Sequence, residues 1–482
     1  MQLKTIFFVS FLSCWINLDV FGQAIQDAIN QLATSPGMEG ATLGVHVADA
    51  KTNLTIAEFQ STKLLAPAST TKLFSTAYAL ENLGADYKPV THIYYTGEIT
   101  DSILRGDIWI VGGGDMSLGS NHFFSDNRTG FLTDWAIKVK QLGIKMMEGT
   151  IYGDGSDFGL ENGPSDWLWG DMGNYYGAHF SGLMLFDNTL EYYFKTGGSG
   201  SKAELIRTYP QVDSLKFSNG IMASTSNGDN SYIFGSPYSW LREGRGELPQ
   251  NRAEFRVRGS LPDPEGQLAM ELKKALISNG IEFKGNAINA RYSVVNRPVK
   301  EWKLLLKHEG MPIRFLIKET NFESINVFAE GLMRITAYQM KGVSLHDQAS
   351  KAMEAYWRQK LSTNGLFLND GSGLSRTNAI SAKALCDLLL FMNQSVHHAD
   401  FYASLPVTGV SGTLKSVAKN QAASGRIHAK SGTMRRTKSY AGYVETISGR
   451  RLAFSMIVNN YTCTNREIVK YMEALMNELV KL

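Results

Sequence analysis

Pro67-Ala68-Ser69-Thr70-Thr71-Lys72-Leu73-Phe74-Ser75-Thr76-Ala77-Tyr78-Ala79-Leu80 sets a serine and a lysine three residues apart at the head of an apolar helical run. Pro67 suits a loop leading into a helix, and the following residues place Leu73, Ala77 and Leu80 on one helical face. Ser69 and Lys72, three apart, then share a face one turn from each other. A serine hydroxyl is a poor nucleophile until a base takes its proton, and a desolvated lysine can be that base. A free lysine ionises at about 10.4, so burial and a second cation must bring it toward neutrality for that task. The helix N-terminus would add partial positive charge and free N–H groups beside Ser69. Ser-x-x-Lys alone is a common spacing and usually marks a solvated helix turn. Two motifs further along the chain give it weight.

The chain has 482 residues, more than one core usually serves, so two or three domains are expected. Hydrophobic residues at 43% and charged residues at 19% exclude a disordered chain. A net charge of +3 is too small to imply nucleic acid or an anionic membrane face. At the N-terminus Lys4 precedes an apolar run from Thr5 to Leu18, closed by Val20-Phe21-Gly22. That pattern predicts an export signal over residues 1–22, and the run is shorter than the roughly 18 apolar residues a membrane span requires. A lipoprotein signal ending at Cys14 is the lesser reading, because Phe11-Leu12-Ser13 before it is an imperfect match. The expected location is the periplasm or the outer face of the cytoplasmic membrane. Cys386 and Cys463 remain after cleavage; spacing cannot place them within bonding distance, and Cys386 reads best as an inert buried thiol.

Taken in order, the mature chain opens with a helix near Ala24–Leu32 and β-runs at Ala41–Val47 and Leu54–Phe59. From about Gly84 to Arg297 the texture changes to short strand-like runs between Gly, Asn, Asp and Ser clusters, such as Ile108–Val111, Gly149–Tyr152 and Phe255–Val257. Val111-Gly112-Gly113-Gly114-Asp115 lacks the ending of a phosphate loop and reads as a tight turn. Gln267–Gly280 reads as a helix and Ile281–Ala290 as a return strand. The segment from Trp167 to Ala178 packs aromatics around one acid, Asp171; it is either a packed loop or a recognition wall with a carboxylate for a cationic group. From about Val299 the chain reads as helical again, with a helix at Ser381–Met392. It closes with strands at Ile427–Ser431, Tyr440–Thr446 and Leu452–Val458, then a helix with Ile468, Met472, Leu475 and Leu479 on one face. That helix's polar face, with Glu467, Lys470, Glu473 and Lys481, points to packing on the domain. The simplest architecture joins the N-terminal hairpin to the C-terminal strands in one antiparallel sheet. The catalytic domain is then 23–84 plus 298–482. The region 85–297 is an insert of one or two mainly-β lobes, the second at about 190–262.

Three elements carry the chemistry: Ser69-Thr70-Thr71-Lys72, Ser324-Ile325-Asn326 and Lys430-Ser431-Gly432-Thr433. This is the Ser-x-x-Lys, Ser-x-Asn, Lys-Thr-Gly order of serine acyl-transferases that react with penicillin. Each is weak alone, and the ordered set is strong.

With these motifs the chain resembles the low-molecular-mass class C penicillin-binding proteins, the D-alanyl-D-alanine carboxypeptidase and endopeptidase family. Asp370–Arg376, Ser404–Leu414, the Trp-x-Trp-x-Asp run at 167–171, Tyr440-Ala441-Gly442-Tyr443 and the long insert match it too. The likeness implies an α+β fold of the penicillin-binding, serine β-lactamase-like type with an antiparallel sheet. It implies hydrolysis of D-alanyl-D-alanine, or of D-alanyl-diaminopimelate cross-links, in peptidoglycan stem peptides, with acylation by β-lactams. No metal or other cofactor is implied. By the same likeness Ser69 attacks, Lys72 takes its proton, and Ser324 relays a proton to the leaving amine. Asn326 holds the substrate amide, and Lys430 supplies charge. Ser431 and Thr433 bind the terminal carboxylate beside Gly432, and the N–H groups of Ser69 and Thr433 form the oxyanion hole. Asp171, Arg376 and Met434 stand where relatives hold a diaminopimelate-type side chain. Ile325 replaces the usual aspartate and Ser431 the usual threonine; neither change removes a reacting group.

A β-lactamase would share the three motifs, but no convincing Glu-x-x-x-Asn element supplies its deacylating base. A non-catalytic wall-binding protein of this fold would be favoured by loss of Lys72, Asn326 or Lys430, and all three are present. No His-Glu-x-x-His spacing points to a metal hydrolase.

Overall fold

The computed structural model describes residues 22–161, 163–361 and 363–482. The predicted export signal, Gly22 apart, lies outside them. The chain divides into two compact units. The first gathers the described residues up to Glu81 with Ile317–Ser324 and Lys351–Leu482; the second holds Asn82–Leu316 and Ile325–Ser350.

The first unit is built on a five-stranded sheet in the order Thr55–Phe59, Thr42–Asp49, Arg451–Asn459, Thr437–Glu445, Ile427–Met434. Every neighbouring pair is antiparallel. The N-terminal hairpin thus pairs directly with the C-terminal strands, Thr42 opposite Asn459 and Asp49 opposite Leu452. The three inner strands are buried almost throughout, which requires cover on both faces. A helix at 22–33 and the helix Asn465–Leu479 bury Ile25, Ile29, Ile468, Met472 and Leu475 with Val45, Val47, Phe454 and Met456. Thr464 and Glu467 form the capping box that starts the last helix. Glu473, expected on its polar face, is buried instead, accepting from the Ala418 N–H at 2.7 Å and from Gln421. The helix Ala382–Gln394 is capped by Ser381, buries Leu385, Leu388 and Leu389, and packs on the sheet.

The second unit carries a five-stranded mixed sheet, Ala287–Asn289, Ile151–Asp154, Ile108–Val111, Val90–Tyr95 and Lys303–Glu309, and a four-stranded one. The helices Gly130–Gln141 and Pro264–Ser278 pack Leu132, Trp135, Leu268 and Leu272 against Ile108, Ile110 and Ile151. A smaller core, with Leu190, Tyr192, Phe194, Ile221 and Leu248, belongs to strands between Thr189 and Ser260. Two local readings change. Lys303–Glu309 is a strand, because its apolar run pairs with Val90–Tyr95; a short apolar run fits strand or helix equally, and the partner decides. The return strand breaks into Glu282–Lys284 and Ala287–Asn289 around Gly285, where a Cβ would sit 1.8 Å from the Gly149 carbonyl.

In the first unit Trp357 is fully buried, stacks edge-on against Phe74, and donates its indole N–H to the Phe74 carbonyl at 3.1 Å. It thereby supports the helix that begins at Lys72. Trp357→Ala should cost about 3–5 kcal/mol through the cavity and the lost bond. A urea titration of this variant showing a loss under about 1 kcal/mol would contradict that support.

Candidate active site

Ser69 does not lie on the α-helix itself. It sits in a 3-10 turn, Ala68–Thr71, that leads into the helix Lys72–Leu83. Ala68 has φ +50°, the left-handed region, so the chain must turn sharply just before Ser69. Three hydroxyls hold that turn. Thr70 and Ser439 donate to the Pro67 carbonyl at 2.8 and 2.5 Å, and Thr71 to the Ala68 carbonyl at 2.9 Å. The three-residue spacing still brings the side chains together: Lys72 Nζ lies 3.0 Å from Ser69 Oγ. Lys72 is fully buried, Ser69 half-buried. Lys72 Nζ also donates to the Ser372 carbonyl at 2.7 Å.

The Ser372 contact depends on a loop knitted by Asp370. Its carboxylate accepts from the N–H groups of Gly373 and Ser375 at 2.7 and 2.6 Å and from Asn378 Nδ2 at 2.7 Å. Gly373 has φ +83°, and a Cβ there would lie 2.0 Å from the Ala68 carbonyl, so glycine alone lets this loop reach the turn that bears Ser69. Arg376 projects from the same loop and is exposed.

The third motif lies on Ile427–Met434, the outer strand of the sheet. The stretch Pro406–Thr408 covers part of its free side, through Ala429 N–H to the Pro406 carbonyl and Thr408 N–H to the Ile427 carbonyl. Groups alternate along a strand, so Ser431 and Thr433 also turn their backbone N–H groups away from the sheet, beyond that cover. Lys430, fully buried, donates to Ser324 Oγ and to the Ser431 carbonyl, both at 2.9 Å. Burial, with repulsion from Lys72 and Lys438, holds its ionisation well below the usual lysine range. Ser324 itself has φ +61°. Ser431 donates to Thr413 Oγ1 at 2.9 Å, and Lys438 donates to Thr433 Oγ1 at 2.7 Å. Gly432 is the second close approach: a Cβ would lie 2.6 Å from the Pro67 carbonyl and 3.0 Å from the Ser69 nitrogen.

Ser69, Lys72, Ser324, Lys430, Ser431, Gly432 and Thr433 therefore share the first unit, with Arg376 and the half-buried Met434. Asn326 opens the helix Asn326–Lys341 in the second unit, where its side chain donates to the Tyr176 carbonyl at 2.7 Å. Asp171 is in that unit too, on the short helix Trp169–Met172, and accepts from the Tyr176 hydroxyl at 3.4 Å. The aromatic segment and the Ser-x-Asn motif are thus tied through Tyr176. Sequence reasoning named the stretches Asp370–Arg376 and Ser404–Leu414 without giving Asp370 or Thr413 a role, and it did not name Lys438. The clustered Asp370-Gly371-Ser372-Gly373 marks a demanding turn, but nothing in the order of residues announces Lys438. Cys386 is buried and Cys463 partly so, and both are free thiols. Among the described residues no helix is long and apolar enough to cross a membrane, and no group of acids, histidines and cysteines could hold a metal ion.

Comparison with known proteins points the same way. A family profile described as D-Ala-D-Ala carboxypeptidase 3 (S13) matches residues 25–479. A D-alanyl-D-alanine carboxypeptidase from Actinomadura sp. (strain R39) is 28% identical over 460 residues, covering 91% of this chain and 81% of that one. The crystal structure of penicillin binding protein 4 from Haemophilus influenzae superposes with a TM-score of 0.79 at 21% identity, covering 94% of this chain and 99% of that one. Its complex with a β-lactam gives a TM-score of 0.74 at 20% identity with the same coverage. At those identities the likeness to the solved structures is one of fold.

The burial of Lys430 has a measurable sign. Its folded ionisation lies below the unfolded value of about 10.4, so folding disfavours the charged form. That penalty is complete at pH values below the folded ionisation and fades as pH rises toward the unfolded one. Lys430→Met should therefore gain stability at pH 6, on the order of 1 kcal/mol, and the gain should shrink by pH 10. Thermal melts across this range test it, and a difference independent of pH would contradict the charge penalty.

Proposed function

We propose that this chain, which belongs to the D-Ala-D-Ala carboxypeptidase 3 (S13) family, is a serine DD-peptidase acting on the stem peptides of peptidoglycan and acylated by β-lactams. One observation carries the reading. Ser69, Lys72, Lys430 and Ser324 lie in one unit, with the first pair 3.0 Å apart and the last pair 2.9 Å apart.

Ser69 Oγ attacks the carbonyl carbon of the penultimate D-alanine, and Lys72 Nζ receives the hydroxyl proton. Repulsion between the two buried lysines is mutual, so the site disfavours two charges at once and suits proton acceptance by Lys72. The developing oxyanion is received by the backbone N–H groups of Ser69 and Thr433. The bare Cα of Gly432 lets its strand approach the turn that bears Ser69, and the outward N–H of Thr433 suits the task. Collapse of the tetrahedral adduct breaks the C–N bond. Ser324, hydrogen-bonded to Lys430, passes a proton to the departing amine, so D-alanine or a cross-linked residue leaves. Water then attacks the ester on Ser69, releasing the shortened peptide and restoring the hydroxyl. Lys430, Ser431 and Thr433 receive the terminal carboxylate, and Asn326 the substrate amide. Asp171, Arg376 and Met434 are the residues given to recognition of the substrate side chain, Asp171 for an amino group and Arg376 for a carboxylate. The region 85–297 is the insert that contributes Asp171, and residues 1–22 direct export to the periplasm or outer membrane face.

Intact-mass analysis after incubation with benzylpenicillin, followed by peptide mapping, tests the nucleophile. A single adduct of the drug's full mass should appear on the peptide holding Ser69 and be absent from Ser69→Ala. Rapid drug hydrolysis without an adduct would turn the reading to a β-lactamase; neither adduct nor hydrolysis would leave a wall-binding protein. Asp171→Ala should cut selectivity for diaminopimelate-type over lysine-type peptides about tenfold, the scale of one lost charged contact. Unchanged selectivity would remove Asp171 from the subsite.

A further inference from the structure

Lys438 is the third buried lysine of the first unit, 8% exposed, and it stands directly opposite Thr433 in the antiparallel register of the outer strand Ile427–Met434 and its neighbour Thr437–Glu445. Its Nζ lies 2.7 Å from Thr433 Oγ1 and 5.0 Å from the centre of the Tyr440 ring, the next residue on its own strand face. Thr433 itself is exposed. An ammonium has three protons and no lone pair, whereas a hydroxyl has one proton and two lone pairs. The direction of the bond is therefore fixed: Lys438 donates and Thr433 accepts. The hydroxyl proton of Thr433 is left to point elsewhere.

We infer that Lys438 is a positioning residue for the substrate carboxylate: by donating into Thr433 Oγ1 it keeps that hydroxyl a donor toward the ligand, and it sets a second cation behind the site. The inference deepens the carboxylate role given to Thr433 above and rests on that reading. Three features support it. The cross-strand pairing sets the Lys438–Thr433 distance through the sheet, not through a flexible loop. Tyr440 supports the ammonium on its other side, so the side chain is held and not merely tolerated. Burial lowers the ionisation of Lys438 to about 8, so it is still largely a cation at neutral pH. A cation 2.7 Å behind a hydroxyl also polarises it, which strengthens the bond that hydroxyl donates to an anion. Arginine would keep both the charge and the donor. Methionine would keep only the bulk, and the Thr433 proton could then turn away from the ligand.

The test compares two substrates that differ only at the terminus, an acyl-D-alanyl-D-alanine and its C-terminal amide. The readout is the ratio of their kcat/KM values, which a purely structural defect moves little because it slows both. In the native enzyme the ratio should strongly favour the carboxylate. Lys438→Met should lower it about tenfold, mainly through KM of the carboxylate substrate, and Lys438→Arg should restore it. Thr433→Val should lower the ratio to a similar extent, and the double variant should fall little further, because both changes disable one hydrogen-bonded unit. Lys438→Gln, which retains a donor without charge, serves if the methionine variant does not fold, and should give an intermediate ratio. A ratio unchanged in Lys438→Met or Lys438→Gln, with Thr433→Val still lowering it, would overturn the role of Lys438. A native ratio near one would instead sink the carboxylate reading of the site on which the inference stands.

Discussion

The burial of positive charge around Lys430 is the constraint on which the rest of the first unit depends. Taking an ammonium out of water costs several kcal/mol unless hydrogen bonds and geometry offset it. Neutral oxygens contribute to that offset: the Ser324 hydroxyl and Ser431 carbonyl for Lys430, the Ser69 hydroxyl and Ser372 carbonyl for Lys72, the Thr433 hydroxyl for Lys438. Neutral acceptors satisfy the N–H groups but leave the charge only partly compensated. For Lys430 and Lys438 the ionisation is accordingly lowered from the usual lysine range, burial being the first cause in both.

That arrangement needs its oxygens placed to within a few tenths of an ångström, and the surrounding structure is devoted to placing them. The turn before Ser69 is pinned by Thr70, Thr71 and Ser439, and the loop supplying the Ser372 carbonyl by Asp370. Trp357 supports the helix behind both. The left-handed conformations of Ala68 and Ser324 are unfavourable for these residues, and each lies at one of the groups that meet a lysine. Strain, hydroxyl bonds and tight glycine contacts thus converge on one small region, while the broad sheet beneath supplies ordinary apolar stability.

Much of this architecture could be read from the order of residues. The N-terminal hairpin and the last three strands are long, β-rich and flanked by clear turns, so their union in one sheet came from pattern alone. The three motifs supplied the candidate groups because such chemistry restricts residue type and spacing, and Ser69, Lys72, Ser324 and Lys430 fall in one unit. Other features depend on tertiary pairing. Lys303–Glu309 carries a leucine run that fits either kind of element, and Glu473 looks solvated until a loop N–H is found to need it. Ser69 was legible as a nucleophile candidate but not as part of a 3-10 turn, since Gly373 of a distant loop packs against that turn. Lys438 illustrates the limit most clearly. Only the strand register sets it against Thr433.

The outer strand has a further consequence, for the behaviour of many copies in solution. A sheet edge with unused backbone groups is a template on which another molecule's edge can add, and proteins usually blunt such edges with charge or cover. Along Ile427–Met434 the cover from Pro406–Thr408 reaches only the first half of the strand. The second half runs into Arg435 and Arg436, both exposed at the hairpin tip. Two molecules meeting edge to edge would bring these arginines together with the lysines behind them, and like charges would drive them apart. A cationic hairpin tip of this kind is one physical means by which the uncovered half of a strand is kept from pairing edge to edge.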